Sequence, residues 1–479
     1  MERELKAEEL RVRRMEAERA LRDAKKPWWR QPDPLLVGIL AGALTLIGNI
    51  VSENLKSQHE LEVERTKARY SLVLQAMATA DRVAAVNNID FFIQSGLLED
   101  EDHKIRNAAA KLRPVLPAAG GASPVTEAST TALALAKSYG MSQELDGAGQ
   151  TVGVIELGGG FDPKDLQQYA KEVGRPAPKV VEVSVLGAKG KPDPGADFQI
   201  AGDIEIIGSV APAAVINVYF APNSAAGMRA AFERAIQDHV SVVTLGWGQP
   251  EVNWTKLDVQ ALNQVLQKAA VSGVTVVVAA GDNGPTDGVA DGRPHVDFPA
   301  SSPFVLAVGG TSRAGLASGK TKETAWNGGP AVAGATFGSG WGTSEIFPRP
   351  AWQAATAPPD GRPGRAIPDV VAYADPSHGY RVRARGEVAV LGGTSLATPL
   401  WAAQIVQLNQ ALGARVGFLN SCLYQKIGPA GVLSPVSSGG ETASSSPRWD
   451  PQTGWGAPDG RRLVDWMRQN WATACGGRR

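Results

Sequence analysis

The sequence predicts an α/β domain, a buried parallel sheet flanked by helices, preceded by an apolar anchor and a helical segment. Three observations carry this. Between residues 126 and 474, short Val/Ile/Ala-rich runs alternate with stretches of helical length, the pattern of a parallel sheet covered on both faces. Residues 113–125 (RPVLPAAGGASPV) form a linker rich in Pro, Gly and Ala ahead of that region. Residues 35–51 (LLVGILAGALTLIGNIV) contain no charge.

Composition sets the outer limits. A chain of 479 residues suggests two or three units at about 150 residues each. With 43% hydrophobic residues, 54 Gly and 32 Pro, it can bury a large core and make many turns. The 48 Lys and Arg balance 48 Asp and Glu, which argues against a nucleic-acid partner. Cys422 and Cys475 are too few for a disulfide scaffold and lack the His/Cys neighbours of a zinc site. One bridge between them and two free thiols are both open readings.

In chain order, residues 1–34 carry ten Lys/Arg and eight Asp/Glu. Leu5, Val12, Met15 and Leu21 are too sparse to bury a face, so a solvated helix or a short coiled coil is expected. Residues 35–51 span about 25 Å as a helix, slightly less than a hydrocarbon core, with Trp28 and Trp29 suited to an interface. This predicts a single-pass membrane protein. Five basic residues before the span (Arg19, Arg22, Lys25, Lys26, Arg30) face four after it (Lys56, Arg65, Lys67, Arg69), so orientation stays open. Residues 52–112 read as a membrane-proximal helical region, and residues 126–474 as the main domain.

Within that domain the expected strands are TVGVIEL, KVVEVSV, AVINVYF, VSVVTLGW, VTVVVAAG and FVLAVGG. Helices are expected near Asp162–Val173, Gln199–Ser209, Met228–Asp238 and Asp258–Ser272. Parallel sheets place ligands at the carboxyl ends of their strands, where Glu156 and Asp282 fall.

The most informative segment is Gly392-Gly393-Thr394-Ser395-Leu396-Ala397-Thr398-Pro399. A β-rich run, VAVL, meets glycines, then a Ser at the start of an apolar helix, where a tight turn exposes the hydroxyl. The G-T-S-x-x-x-P pattern is similar to the nucleophile motif of two related peptidase families, subtilisins and sedolisins. None of His59, His103, His239, His295 and His378 lies in the His-Gly-x-His run of a subtilisin. Asp282 also stands where a subtilisin has Asn. The stretch Gly281–Ala300 (GDNGPTDGVADGRPHVDFPA) resembles the sedolisins, or serine-carboxyl peptidases, and the resemblance covers most of residues 122–470. It is nearest to kumamolisin-type members and implies a subtilisin-like α/β fold.

The resemblance also implies roles. Ser395 is the nucleophile, and Asp203 supports a carboxylic base four residues earlier on one helical face. That earlier position is Gln199, an amide, which cannot accept the serine proton. Asp197 lies about 200° around the helix from Gln199. Glu156 and Trp247 are supporting residues. Glu156 is either a surrogate base or a hydrogen-bond partner of the Gln199 amide. Asp282, with the Ser395 N–H, would stabilise an oxyanion, and must be protonated to do so. Gly338, Ser339 and Gly340 match a substrate-binding strand. The family's calcium ligands align with Ser434, Pro435, Ser446, Arg448 and Asp450, and one carboxylate beside an Arg is a poor set for a hard cation. No metal or other cofactor is expected. Asp287 and Asp291, each before a Gly, read as turn residues. The roughly 120 residues ahead of the domain read as an anchor and helices, so control by removal of the family's long propeptide is not expected.

The expected function is a membrane-anchored, sedolisin-class serine endopeptidase acting on peptides or proteins, weakened by Gln199. The alternative is a pseudopeptidase that binds peptides or a partner protein. A scaffold working through residues 1–112 is a third reading.

Overall fold

The computed structural model describes residues 129–193, 196–289, 291–314, 322–328, 337–356, 361–438 and 447–476. The charged N-terminus, the anchor at 35–51, the helical region at 52–112 and the linker at 113–125 lie outside the described residues. Among the described residues, no helix is long and apolar enough to cross a membrane.

The expected parallel sheet is present. Its strands are β1 (Thr151–Glu156), β2 (Lys179–Ser184), β3 (Val215–Phe220), β4 (Val242–Leu245), β6 (Thr275–Ala279), β8 (Leu306–Ala314) and β12 (Val370–Tyr373), in the order β12-β8-β6-β4-β1-β3-β2. All six pairings are parallel; β9 (Lys322–Ala325) adds antiparallel to the far end of β8. The central strands β4 and β6 are buried throughout, whereas β2, at the edge, is mostly exposed. That contrast follows from burial on two faces against one.

Alternation along the strands divides the core into two layers. Val242 and Val277 face a cluster with helices α1 (Ala132–Ser138), α3 (Asp197–Val210), α6 (Thr394–Leu412) and α7 (Gly460–Ala474). Val243, Val276 and Val278 face α4 (Ala225–Gln237) and α5 (Lys256–Val271). Between β1 and β2 runs α2 (Pro163–Glu172), with Asp162 capping the Lys164 N–H and Pro163 in its first turn. Ser224 and Thr255 cap α4 and α5 in the same way. Helix α6 is buried at 15 of its 19 residues, so it reads as apolar all round instead of amphipathic.

Three small pairs complete the domain: β5 (Gln249–Pro250) with β7 (Asp297–Phe298), β10 (Gly342–Pro348) with β11 (Gly364–Ile367), and β13 (Tyr380–Ala384) with β14 (Glu387–Leu391). The VAVL run before the Gly-Thr-Ser turn is therefore a hairpin arm outside the main sheet. Of the two cysteine readings, the bridge is the one present: Cys422 is bonded to Cys475 at the end of α7, with Cα atoms 5.1 Å apart.

Candidate active site

Two glycines let the site close. Gly393 precedes α6 with φ 120°, and a Cβ there would lie 2.7 Å from Asp282 Oδ2 and 3.0 Å from Ser395 Oγ. A side chain has no room, and the same observation puts the Asp282 carboxyl and the Ser395 hydroxyl around one small space. Gly202, on α3, would place a Cβ 2.8 Å from Leu396 Cδ2. Its bare backbone lets α3 approach α6 beside the serine.

That approach builds a line of hydrogen bonds. Ser395 Oγ donates to Gln199 Oε1 at 2.9 Å, and Gln199 Nε2 donates to Asp203 Oδ1 at 3.0 Å. The i, i+4 spacing on α3 puts both side chains on one face. Trp247 Nε1 donates to Glu156 Oε2 at 2.8 Å. Glu156, fully buried at the end of β1, forms an acid pair with Asp203. Burial first, and the Asp203 charge second, push its carboxyl well above the usual range. Asp203 is pushed up to about 7 by burial, against hydrogen bonds from Glu156 and Gln199 that favour its anion.

These contacts place Glu156 apart from both partners that the sequence reading offered it. It partners Asp203 and Trp247, and its hydrogen bonds reach neither Ser395 nor the Gln199 amide. Asp197 makes its hydrogen bonds elsewhere. Its Oδ1 accepts the N–H groups of Gly160 and Asp193 at 2.8 and 2.9 Å, tying the loop after β1 to the first turn of α3.

On the other side of Ser395, Asp282 Oδ1 accepts from Thr394 N and Thr394 Oγ1, both at 2.7 Å. Burial nevertheless raises its carboxyl above the ordinary value. Sequence reasoning missed Thr394 as the residue that orients this acid. It also missed Gly246, where a Cβ would meet Ser395 Cβ at 3.1 Å and Gln199 Nε2 at 3.2 Å.

Gly338, Ser339 and Gly340 run beside Asp282. Their N–H groups donate to the carbonyls of Asp282, Trp326 and Gly281, and the Gly338 carbonyl accepts from Gly284 N. Most of the backbone valences of this short segment are therefore engaged within the fold.

Asp287 and Asp291 both sit in turns, as expected, but they differ. Asp291 Oδ1 accepts the Arg293 N–H at 2.9 Å and lies 3.0 Å from His295 Nε2. Asp287 is left-handed (φ 48°) and only 3% exposed. With Asp297 and Glu251 it forms an acid cluster behind Asp282. Burial and mutual repulsion lift Asp287 to about 7 and Asp297 well above its usual range. Nothing in their local sequence signals this, because the three come from segments separated along the chain.

At the aligned calcium positions, Asp450 Oδ1 already accepts from Gln452 N, Thr453 N and Thr453 Oγ1 at 2.8–3.1 Å, closing a turn. Ser434 pairs its backbone with Ala457, and Arg448 is exposed two residues before Asp450. Ser446 lies outside the described residues. One carboxylate engaged in a turn, beside a guanidinium, does not suit a calcium ion.

Residues 186–422 match the Subtilase family. The chain is 46% identical over 352 residues to kumamolisin of Bacillus sp. (strain MN-32), covering 70% of this chain and 63% of that protein. It is 31% identical over 355 residues to sedolisin of Pseudomonas sp. (strain 101), covering 69% and 60%. It thus spans less than two thirds of the length of either. A solved structure, Pseudomonas sedolisin (serine-carboxyl proteinase) complexed with two molecules of pseudo-iodotyrostatin, superposes with a TM-score of 0.65 at 27% identity, over 71% of this chain and 98% of that one. Fold and relatives agree: the chain belongs to the sedolisin family of serine-carboxyl peptidases.

Proposed function

We propose that this protein is a serine endopeptidase of the sedolisin class that cleaves peptides or proteins slowly because Gln199 occupies the position of the general base. The observation that carries this is the Ser395–Gln199–Asp203 line, with Asp282 on the opposite side of the serine. Ser395 Oγ would attack the scissile carbonyl. Asp282, in its protonated form, would donate to the oxyanion together with the Ser395 N–H. Gln199 orients the hydroxyl but is no base, so the proton must leave by a less favourable route. Loss of a positioned base typically costs about 10²–10⁴ in rate.

A second reading keeps the cleft and drops the chemistry. Both ends of the Gln199 amide are satisfied, the oxygen by Ser395 and the nitrogen by Asp203. That arrangement holds the serine in a resting hydrogen bond and suits a pseudopeptidase that binds peptides or a partner protein. Incubation of the full chain with a denatured protein from acidic to neutral pH, beside its Ser395→Ala variant, separates the two. Cleavage that disappears in the variant supports the peptidase; equal and negligible cleavage supports the binding protein.

The reading extends to location. Residues 35–51 would anchor the chain in a membrane, and the Cys422–Cys475 bond favours placing the domain on its oxidising side. Release of the full-length protein by carbonate without detergent would contradict the anchor. No calcium requirement is proposed, and chelation should leave the melting temperature unchanged.

A further inference from the structure

The hairpin β13–β14 delivers Ser395. Its second arm ends at Leu391, and the chain then passes through Gly392, Gly393 and Thr394 to the serine. The hairpin pairs with no strand of the main sheet; a backbone bridge to Thr130 holds the start of its first arm, and its turn end needs other partners. The two-residue turn at Arg385 and Gly386, both at positive φ, leaves the Gly386 N–H outside the ladder. Alternation in an antiparallel pair likewise turns the Arg383 N–H away from β14.

Two carboxyl groups take these orphan donors. Glu205 on α3 receives the Arg383 N–H at 3.2 and 3.1 Å from its two oxygens. Asp165 on α2 receives the Gly386 N–H at 3.1 Å from each oxygen. Glu205 is 3% exposed and Asp165 8%. Glu172 adds an ion pair to the Arg383 guanidinium at 2.7 Å, though this pair is partly solvated and contributes little. Between the two clamps, Val382 packs on α3 beside Gly202, next to Leu396. Helix α3 therefore carries Gln199 and Asp203, which face the serine, and two residues later the acid that grips the hairpin leading to it.

We propose that Glu205 and Asp165 are positioning residues: by fixing the β13–β14 hairpin to α3 and α2, they set the contact between Ser395 and position 199. The inference rests on the reading of Ser395 as the nucleophile. Both Glu205 oxygens accept the backbone hydrogen, and burial pushes the carboxyl up to about 9, toward its neutral form. A glutamine can supply the same acceptor; an alanine cannot.

The test uses the full chain and a fluorophosphonate probe that labels reactive serines, with Gln199→Glu as the parent background. In that background Glu205→Ala should slow labelling by about 10²-fold, the scale of a misplacement near 1 Å. Glu205→Gln should stay within a few-fold of the parent. Thermal melts should show both variants folded. If folded Glu205→Ala labels at the parent rate, or Glu205→Gln loses as much as Glu205→Ala, the positioning role is wrong. If Glu205→Ala does not fold, Asp165→Asn and Asp165→Ala take its place. The amide should preserve labelling and the alanine slow it by about tenfold, an unchanged rate in the alanine variant overturning the proposal. If the Gln199→Glu parent itself resists the probe while folded, the nucleophile reading fails and the positioning role falls with it, an outcome distinct from the others.

Discussion

The two sides of Ser395 are equally well built and chemically unequal. On one side Asp282, held by both donors of Thr394, is an acid that burial pushes toward its protonated, hydrogen-donating form. On the other, Trp247, Glu156, Asp203 and Gln199 form a continuous chain ending on the serine hydroxyl. The serine hydroxyl on that side meets an amide oxygen, which does not take up its proton. Good hydrogen-bond geometry and basicity are separate properties. An amide reproduces the first and lacks the second.

The comparison is broken most directly at position 199. Gln199→Glu should raise peptidase turnover by about 10²-fold or more, mainly in kcat, because the base acts in the transition state. The gain should vanish in a Ser395→Ala background. A folded but still inactive Gln199→Glu variant would mean that the oxyanion side is deficient too. Asp282→Ala in the Gln199→Glu background probes that side. It should cost about 10²-fold in kcat, the usual price of one oxyanion donor, and a full-rate variant would remove Asp282 from the chemistry.

A smaller effect concerns pH and stability. Asp203 and Asp287 titrate near 7 in the fold against an ordinary 3.8, and Glu205 near 9 against 4.5, with Glu156 and Asp297 raised as well. Each keeps a proton that the unfolded chain has lost. Their combined contribution is therefore most favourable near pH 4 and is lost as pH rises toward 7 and beyond. Glu172 and Asp291 shift the other way but stand at the solvated surface. Urea unfolding should show greater stability at about pH 4.5 than at about pH 7.5, and Asp203→Asn should flatten the slope. A protein that grows steadily more stable across that range would contradict the burial of these acids.

The smallest effect lies far from the serine. The Cys422–Cys475 bond closes a loop of sequence separation 53, worth about 4 kcal/mol by loop-closure entropy. Cys475→Ser should lower the melting temperature by a few degrees and leave serine labelling intact. If labelling were lost as well, the C-terminal helix would be coupled to the site.

Much of the fold was legible because it depends on local pattern. The Val-rich runs of β1, β3, β4, β6 and β8 announced themselves as buried strands, and the capped stretches between them as helices. β12 was not read as a strand, because IPDVVAY is short and follows a proline. VAVL was read as one β-rich run, and only its pairing with Tyr380–Ala384 reveals the hairpin. In the site, Ser395, Gln199, Asp203 and Asp282 were singled out by the family resemblance, and the structure brings them together. Thr394, Gly246 and Glu205 were not, since each meets its partner far along the chain.

By itself the sequence determined the residue types: a serine at a helix start, an acid at the end of β6, and an amide where a base is expected. It also determined the alternation that makes a parallel sheet. Tertiary structure alone decided which groups meet. It set Glu156 against Asp203 and not against the serine, engaged Asp197 and Asp450 in their own turns, and joined the two cysteines. Helical and strand periodicities repeat every two to four residues and can be read along the chain. Proton sharing and desolvation depend on groups brought together across the core, and arise only when α3 packs against α6.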